Sequence, residues 1–258
     1  MKSACVSSAV PLDHVILYGG FEMDELFDFF ERAGFYLTPL GRHSLGTVNR
    51  LAMLDTQYIE LIGFLPGTPP TVRPEVQSLP LGLNSIAAAE NPEHRRVRRE
   101  GLAEPMALER LVDTPQAHGT ARFTITHAQS PATDARAFLC RHHTPDLLWV
   151  ADWMGHRNGA FSIAEVRIPT REPEHFAAVV DSVFDVPAEH GRTCWSSAGS
   201  TVRIIPATTP GTLTVLVRDI EAARRTVLEA GLAYSEPDGA LHIPLPSSYR
   251  SELVLKGP

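Results

Sequence analysis

The sequence predicts an α+β fold built from four diverged copies of one strand–helix–strands unit. Three observations predict it. Short apolar, β-branched runs recur near residues 15–18, 83–89, 161–168 and 214–217. Stretches with helical spacing follow them, two of which stop at a glycine, Gly34 and Gly231. The whole pattern repeats at roughly 50–70 residues, as internal repetition should. Strands that cannot bury one face alone pack in pairs around a shared core.

In the first unit, residues 12–17 form an apolar run carrying His14, stopped by Gly19 and Gly20. Asp24 or a neighbour caps a helix on which Leu26, Phe27, Phe30 and Ala33 share a face, and Gly34 ends it. Residues 48–54 and 58–64 read as strands around a turn at Asp55-Thr56, with a short strand at Tyr36-Leu37 ahead of them. Residues 66–80 are proline-rich and read as a connector. The second unit opens with a weak strand at 83–89. A helix from Asn91-Pro92 to near Gly101 follows, then strands at 106–112, 120–126 and 147–153. The third has a strand through Ile163, Val166 and Ile168, a helix over 174–184 and a strand over 201–205. The fourth has a strand at 214–217, a helix over 220–230 capped by Asp219, and strands at 240–244 and 252–256.

Composition narrows the function. The 258 residues are 43% hydrophobic and 21% charged, as in ordinary globular proteins. A net charge of -7 argues against a nucleic-acid surface. The basic run Arg95-Arg96-Val97-Arg98-Arg99 sits among Glu90, Glu93 and Glu100 and reads as a solvated helix face. Cys5, Cys140 and Cys194 are odd in number and far apart, which fits a reducing compartment. No apolar run has the ~18 residues of a membrane span, and no signal peptide is read. The expectation is a soluble cytoplasmic protein whose partner is a small-molecule substrate, with neither nucleic acid nor membrane. GxGxxG, P-loop, GxSxG and HExxH patterns are absent.

The chemistry-bearing residues cluster in the first unit. His14 is the single histidine and Glu60 the single glutamate of an apolar strand, and each costs free energy if buried unpaired. A metal, a polar substrate or their mutual hydrogen bond would pair them, and Glu60 suits a general base. His43, in the glycine-flanked loop from Gly41 to Gly46, is a candidate pocket residue. Of Asn49 and Arg50 one should face inward, because strand side chains alternate; an arginine there would hold a carboxylate or phosphate. His142 and His143 are adjacent, so at most one lines a given pocket. Cys140 reads as a buried, inert thiol.

Leu12-Asp13-His14-Val15, the stretch from Gly41-Arg42-His43 to Thr47-Val48-Asn49-Arg50, and Tyr58-Ile59-Glu60-Leu61-Ile62 together resemble the vicinal oxygen chelate superfamily. This is the glyoxalase, bleomycin-resistance and extradiol-dioxygenase fold, and the resemblance is to its glyoxalase-like domain subfamily. His142-His143-Thr144-Pro145 and His156-Arg157-Asn158-Gly159 are similar to the stretch before that subfamily's second half. The resemblance implies βαβββ modules that pair into cup-shaped mixed sheets with helices outside. Here the halves would be 11–155 (modules one and two) and 156–258 (modules three and four). It implies that His14 and Glu60 ligate a divalent metal (zinc, nickel, manganese or iron(II)) and act in catalysis. The partner module offers Ser85 and Asp152 instead of a second His and Glu, the third Glu165 and Arg203, the fourth Thr214 and Glu252. His43, His142, His143 or Asp152 would have to complete the site, with Asn49 and Arg50 as substrate contacts. The implied function is a metal-dependent lyase or isomerase that moves a proton on a small oxygenated metabolite. The rivals are a drug-sequestering binding protein and a ring-cleaving dioxygenase. Many relatives form sites across a homodimer, although four modules could supply two cups in one chain.

Overall fold

The computed structural model describes residues 5–90 and 100–258. In chain order it runs β1 (Val6–Ser8), β2 (Leu12–Tyr18), α1 (Asp24–Arg32), β3 (Gly41–Arg42), β4 (Val48–Met53), β5 (Tyr58–Gly63), α2 (Pro74–Gln77) and β6 (Gly82–Ala89). Then come β7 (Met106–Asp113), β8 (His118–His127), β9 (Arg136–His142), β10 (Ala160–Thr170), α3 (Pro173–Val183), β11 (Cys194–Ser197) and β12 (Ser200–Pro206). The chain ends with β13 (Gly211–Val217), α4 (Ile220–Glu229), β14 (Leu241–Pro244) and β15 (Ser251–Lys256).

The strands form two mixed sheets, ordered β3-β4-β5-β2-β6-β9-β8-β7 and β1-β11-β12-β10-β13-β15-β14. In every module the opening strand pairs in parallel with the last: β2 with β5, β6 with β9, β10 with β12, β13 with β15. Two modules join through antiparallel opening strands, β2 with β6 and β10 with β13. The four diverged modules of the sequence reading are present, paired one with two and three with four; modules three and four carry two strands after their helix instead of three, and the helix position of module two lies outside the described residues. The first sheet curls until its edges meet. His43 and Arg110 form a bridge, and the Ser44 N–H donates to the Glu109 carbonyl at 2.9 Å. This closure gives the edge strands partners and encloses a lumen.

Alternation explains which side chains enter that lumen. On β2, His14 and Ile16 face inward while Val15 and Leu17 face the back. The backs of both sheets share one core with the helices. It includes Val15, Leu17 and Ile86 of the first sheet, Ile163, Val166 and Val215 of the second, Phe30 of α1, Phe176 of α3 and Val227 of α4. Burying each such large side chain contributes about 1.5–3 kcal/mol. The two halves meet at Gly82, where a Cβ would lie 1.9 Å from the Tyr249 carbonyl oxygen, and whose φ is +95°. Gly82→Ala is therefore expected to destabilise by about 2–4 kcal/mol in urea unfolding. A loss under about 0.5 kcal/mol would mean that the two halves do not meet there.

Three expectations are corrected. Residues 147–153 are not a strand. Pro145 starts one 3₁₀ turn (Pro145–Leu147) and a second follows (Ala151–Trp153), while β9 closes the module. Tyr36-Leu37 is irregular, and the extra strand is β3. The cysteines are not three separate thiols: β1 pairs with β11 in register Val6 to Trp195, and this brings Cys5 beside Cys194 in a disulfide. Disulfides persist in oxidising compartments, so this pair runs against the compartment that the cysteine spacing suggested. Cys140 is free and buried. The helix expected from residue 91 and the basic run at 95–99 lie outside the described residues. Among the described residues no helix is long and apolar enough to cross a membrane.

Candidate functional site

The site is built on a bulge. Leu12 pairs with Ala88 and His14 with Ala87, so Asp13 is the extra residue. Such a bulge re-aims side chains. Asp13 accepts a hydrogen bond from His14 Nδ1 at 2.6 Å and from His142 Nε2 at 3.0 Å. Burial would raise the Asp13 pKa, but these two imidazoles overcome it and hold it at about 2. The carboxylate is therefore ionised, and each imidazole gives it an N–H.

With Nδ1–H committed to Asp13, His14 turns its Nε2 to Glu60 Oε2, 3.6 Å away. The His14 ring is stacked on Tyr58, with centroids 4.2 Å apart. Glu60 is fixed from its other oxygen, Oε1, which accepts from Asn49 Nδ2 at 2.6 Å. Both N–H groups of the Asn49 amide are used. It also donates to His43 Nε2 at 3.3 Å, and its oxygen accepts from Arg110 Nη1 at 3.2 Å. His43 in turn donates Nδ1–H to Thr47 Oγ1 at 2.8 Å. Burial holds the His43 pKa at about 4, with the Glu60 charge opposing and Arg110 assisting, so His43 is neutral at pH 7. The lumen beyond this network is a cavity open at its mouth. Its walls are largely apolar, among them Leu51, Leu108, Phe123 and Phe138. The connector 66–80 covers one end, where Val76 and Leu79 pack on Tyr18 and Phe64.

Between His14 Nε2 and the Glu60 carboxylate, 3.6 Å apart, there is a place for something positive or proton-bearing. A shared proton, a substrate hydroxyl or a divalent ion would serve. His14 Nε2 and Glu60 Oε2 fit an ion as two donors, and the Asp13 carboxylate on His14 is the support metal-binding histidines usually have. The partner module adds no such pair. Its strand opening Leu83-Asn84-Ser85-Ile86 repeats Leu12-Asp13-His14-Val15, bulge included, and Ser85 Oγ donates to Asn84 Oδ1 at 2.7 Å. His14 pairs with Tyr58 and Ser85 with Arg136, so Phe138 occupies the place of Glu60. In the second sheet the corresponding residues neutralise each other, Arg203 Nε donating to Glu165 Oε1 at 2.6 Å. Among the described residues, the one set of three potential ligands with donor atoms within 4.8 Å of one another is Asp13, Cys140 and His142. Its carboxylate already accepts two N–H groups.

Residues 12–184 match the family described as glyoxalase-like domain. The chain belongs to that family. The glyoxalase-like chain matches no curated protein. It is similar to a solved hypothetical protein from Staphylococcus aureus, at 13% identity over 96% of this chain and 100% of that one, TM-score 0.65. It is also similar to a mutant 4-hydroxymandelate synthase from Streptomyces coelicolor, at 14% identity over 96% and 93% of the two chains, TM-score 0.54. A xylose isomerase-like TIM barrel/4-hydroxyphenylpyruvate dioxygenase fusion protein aligns at 10% identity over 98% of this chain and 49% of that one, TM-score 0.55. At such identities these likenesses establish the fold alone, which is that of the vicinal oxygen chelate superfamily.

Within this glyoxalase-like lumen the structure gathers His14, Glu60, His43 and Asn49, with His142 joined through Asp13. Three sequence-derived candidates lie elsewhere. Arg50 follows Asn49 on β4 and so points to the back, where it bonds the carbonyls of Leu37 and Thr38 and pairs with Glu31. His143 turns outward and bonds Thr124 Oγ1. Asp152 is exposed on a 3₁₀ turn. Sequence reasoning missed Asp13, Tyr58, Arg110 and Arg136. For Asp13 the signal was present, since an aspartate within an apolar strand needs partners as much as the histidine beside it.

Proposed function

We propose that this chain is a glyoxalase-like enzyme that moves a proton on a small oxygenated metabolite bound in the first lumen, in a lyase or isomerase reaction. The observation that carries the reading is the line Asp13–His14–Glu60, buried and aimed at a largely apolar cavity. Asp13 fixes the tautomer of His14. Asn49 holds one oxygen of Glu60 and leaves the other free to take or return a proton. Arg110, 3% exposed and with Nε unpartnered, stands close enough to favour negative charge developing on a substrate oxygen. A divalent metal would be held by His14 Nε2 and the same Glu60 Oε2, and would acidify a proton beside a coordinated oxygen by Lewis-acid action; Glu60 would then be a ligand, and its role as free base belongs to the metal-free site.

The test has two arms. Elemental analysis of unchelated protein is expected to find a divalent ion in the wild type that is lost in His14→Ala and Glu60→Gln. Proton NMR in D₂O, run on a panel of 2-oxo and 2-hydroxy carbonyl compounds, is expected to show catalysed exchange of an α-proton. Glu60→Gln should slow that exchange by about 10²–10⁴-fold. A protein that takes up no zinc, nickel, manganese or iron(II) and exchanges nothing would favour the second reading, a binding protein of the same fold. Phe138 in the place of a second carboxylate is the observation on that side.

A further inference from the structure

The covered end of the lumen carries charge that the proton-transfer network does not use. Arg73, Arg136 and His127 all line the cavity there. Arg136 Nη2 donates to the Glu75 carbonyl at 2.6 Å, while its Nε is buried without a partner. His127 Nε2 is likewise buried and unpartnered. Burial, and then the charges of Arg73 and Arg136, hold the His127 pKa at about 4. Arg73 pairs with Glu75 and sits in the left-handed region at φ 49°, a conformation costly for a non-glycine residue and typical of places where a side chain must be aimed. One carboxylate, Glu75, stands against two guanidinium groups, and buried donors without acceptors are costly. An anion would satisfy both.

The strand register places this cluster relative to Glu60. Glu60 pairs with Ile16, Ile16 with Ser85, and Ser85 with Arg136, one row across four adjacent strands. That row measures about 14 Å along the sheet and less across the curved lumen. Apolar wall separates the two ends: Ile16, Ile62, Ile125 and Phe138.

We infer that Arg136, Arg73 and His127 form an anion subsite, and that the substrate is an amphipathic carboxylate or phosphate whose anionic head sits there while its oxygenated carbons reach Glu60. The inference rests on the proton-transfer reading for the second end only; the subsite stands on its own residues.

Calorimetric titration of the full chain with octanoate, octyl phosphate and 1-octanol tests it. The wild type should bind at least one of the two anions about tenfold or more tightly than 1-octanol. Whichever binds tighter names the head group. Arg136→Met should bring that anion down to the affinity of 1-octanol and leave 1-octanol binding unchanged, and Glu60→Gln should keep the anion preference. Equal binding of anions and alcohol by the wild type overturns the subsite. So does a preference that survives Arg136→Met. If Arg136→Met binds neither class, Arg73→Met decides in the same way: a reduced preference supports the subsite and an unchanged one overturns it. An anion preference without any catalysed α-proton exchange would sink the proton-transfer reading and leave the subsite intact.

Discussion

Acidification from pH 7 to pH 4 is expected to cost the fold about 5 kcal/mol through two histidines alone. Burial holds both His43 and His127 at about 4 in the folded chain, against the ordinary histidine value of 6.5. Between those values the unfolded chain binds more protons than the folded one. Stability is therefore full above about pH 6.5, falls as the pH falls, and has lost most of this contribution by pH 4. Asp13 extends the decline. Its folded pKa of about 2 lies below the ordinary aspartate value of 3.8, so its contribution is present above 3.8 and lost as the pH drops through 2. Since whole domains are stable by only ~5–15 kcal/mol, unfolding should set in between about pH 4 and 5. Urea unfolding followed by circular dichroism at pH 7, 5.5 and 4.5 measures the slope. His43→Gln and His127→Gln should each flatten it. A wild type equally stable at pH 7 and 4.5 would mean that water reaches both imidazoles.

The lumen explains which parts of this molecule the sequence disclosed. His14 and Glu60 were visible because a single histidine or glutamate buried in an apolar strand needs a partner, and the partners exist. The alternation of Asn49 and Arg50 was visible as a rule but not as a sign. Only the curl of the sheet decides that Asn49 points in and Arg50 points to α1. Asp13 escaped because strict alternation puts it on the opposite face from His14, and the bulge that brings both to the His142 side depends on pairing with β6. Arg110 and Arg136 escaped for a related reason. Each lies on a strand whose inner face is set by closure of the sheet between His43 and Arg110, a contact between residues far apart in the chain. The module order was legible because helix stops and β-branched runs are local signals. β9 was missed in favour of residues 147–153, where the apolar run Leu147-Leu148-Trp149-Val150 imitates a strand, although Pro145 favours a turn. The pairing of Cys5 with Cys194 is a tertiary fact, set by the docking of β1 on β11.

Replacing Asp13 should have the largest effect of any single change in the site. Asp13→Ala removes the acceptor of two imidazole N–H groups at once, in a strand that is fully buried. Breaking one member out of a buried charged network costs about 3–5 kcal/mol, and here two donors are orphaned. Asp13→Asn is the sharper experiment because it keeps the shape. Both rings bond Oδ2 and His142 also reaches Oδ1 at 3.1 Å, so the new amide sets its NH₂ against an imidazole N–H whichever way it faces. The ring that meets the NH₂ must then offer a lone pair and shift its proton to its far nitrogen. For His142 the far nitrogen, Nδ1, is buried with no partner, so the shift is unfavourable there. For His14 the far nitrogen is Nε2, where a proton can be donated to Glu60 Oε2. The structure therefore predicts that His14 gives way and that its Nε2 ceases to be an acceptor. Expected results are a loss of about 1–3 kcal/mol in urea unfolding at pH 7, together with loss of α-proton exchange and of any bound divalent ion. Long-range ¹H–¹⁵N NMR of the imidazoles reads the tautomers directly. A His14 still protonated at Nδ1 in Asp13→Asn, with stability unchanged, would show that Asp13 does not orient the ring and that the line from Asp13 to Glu60 is no functional unit.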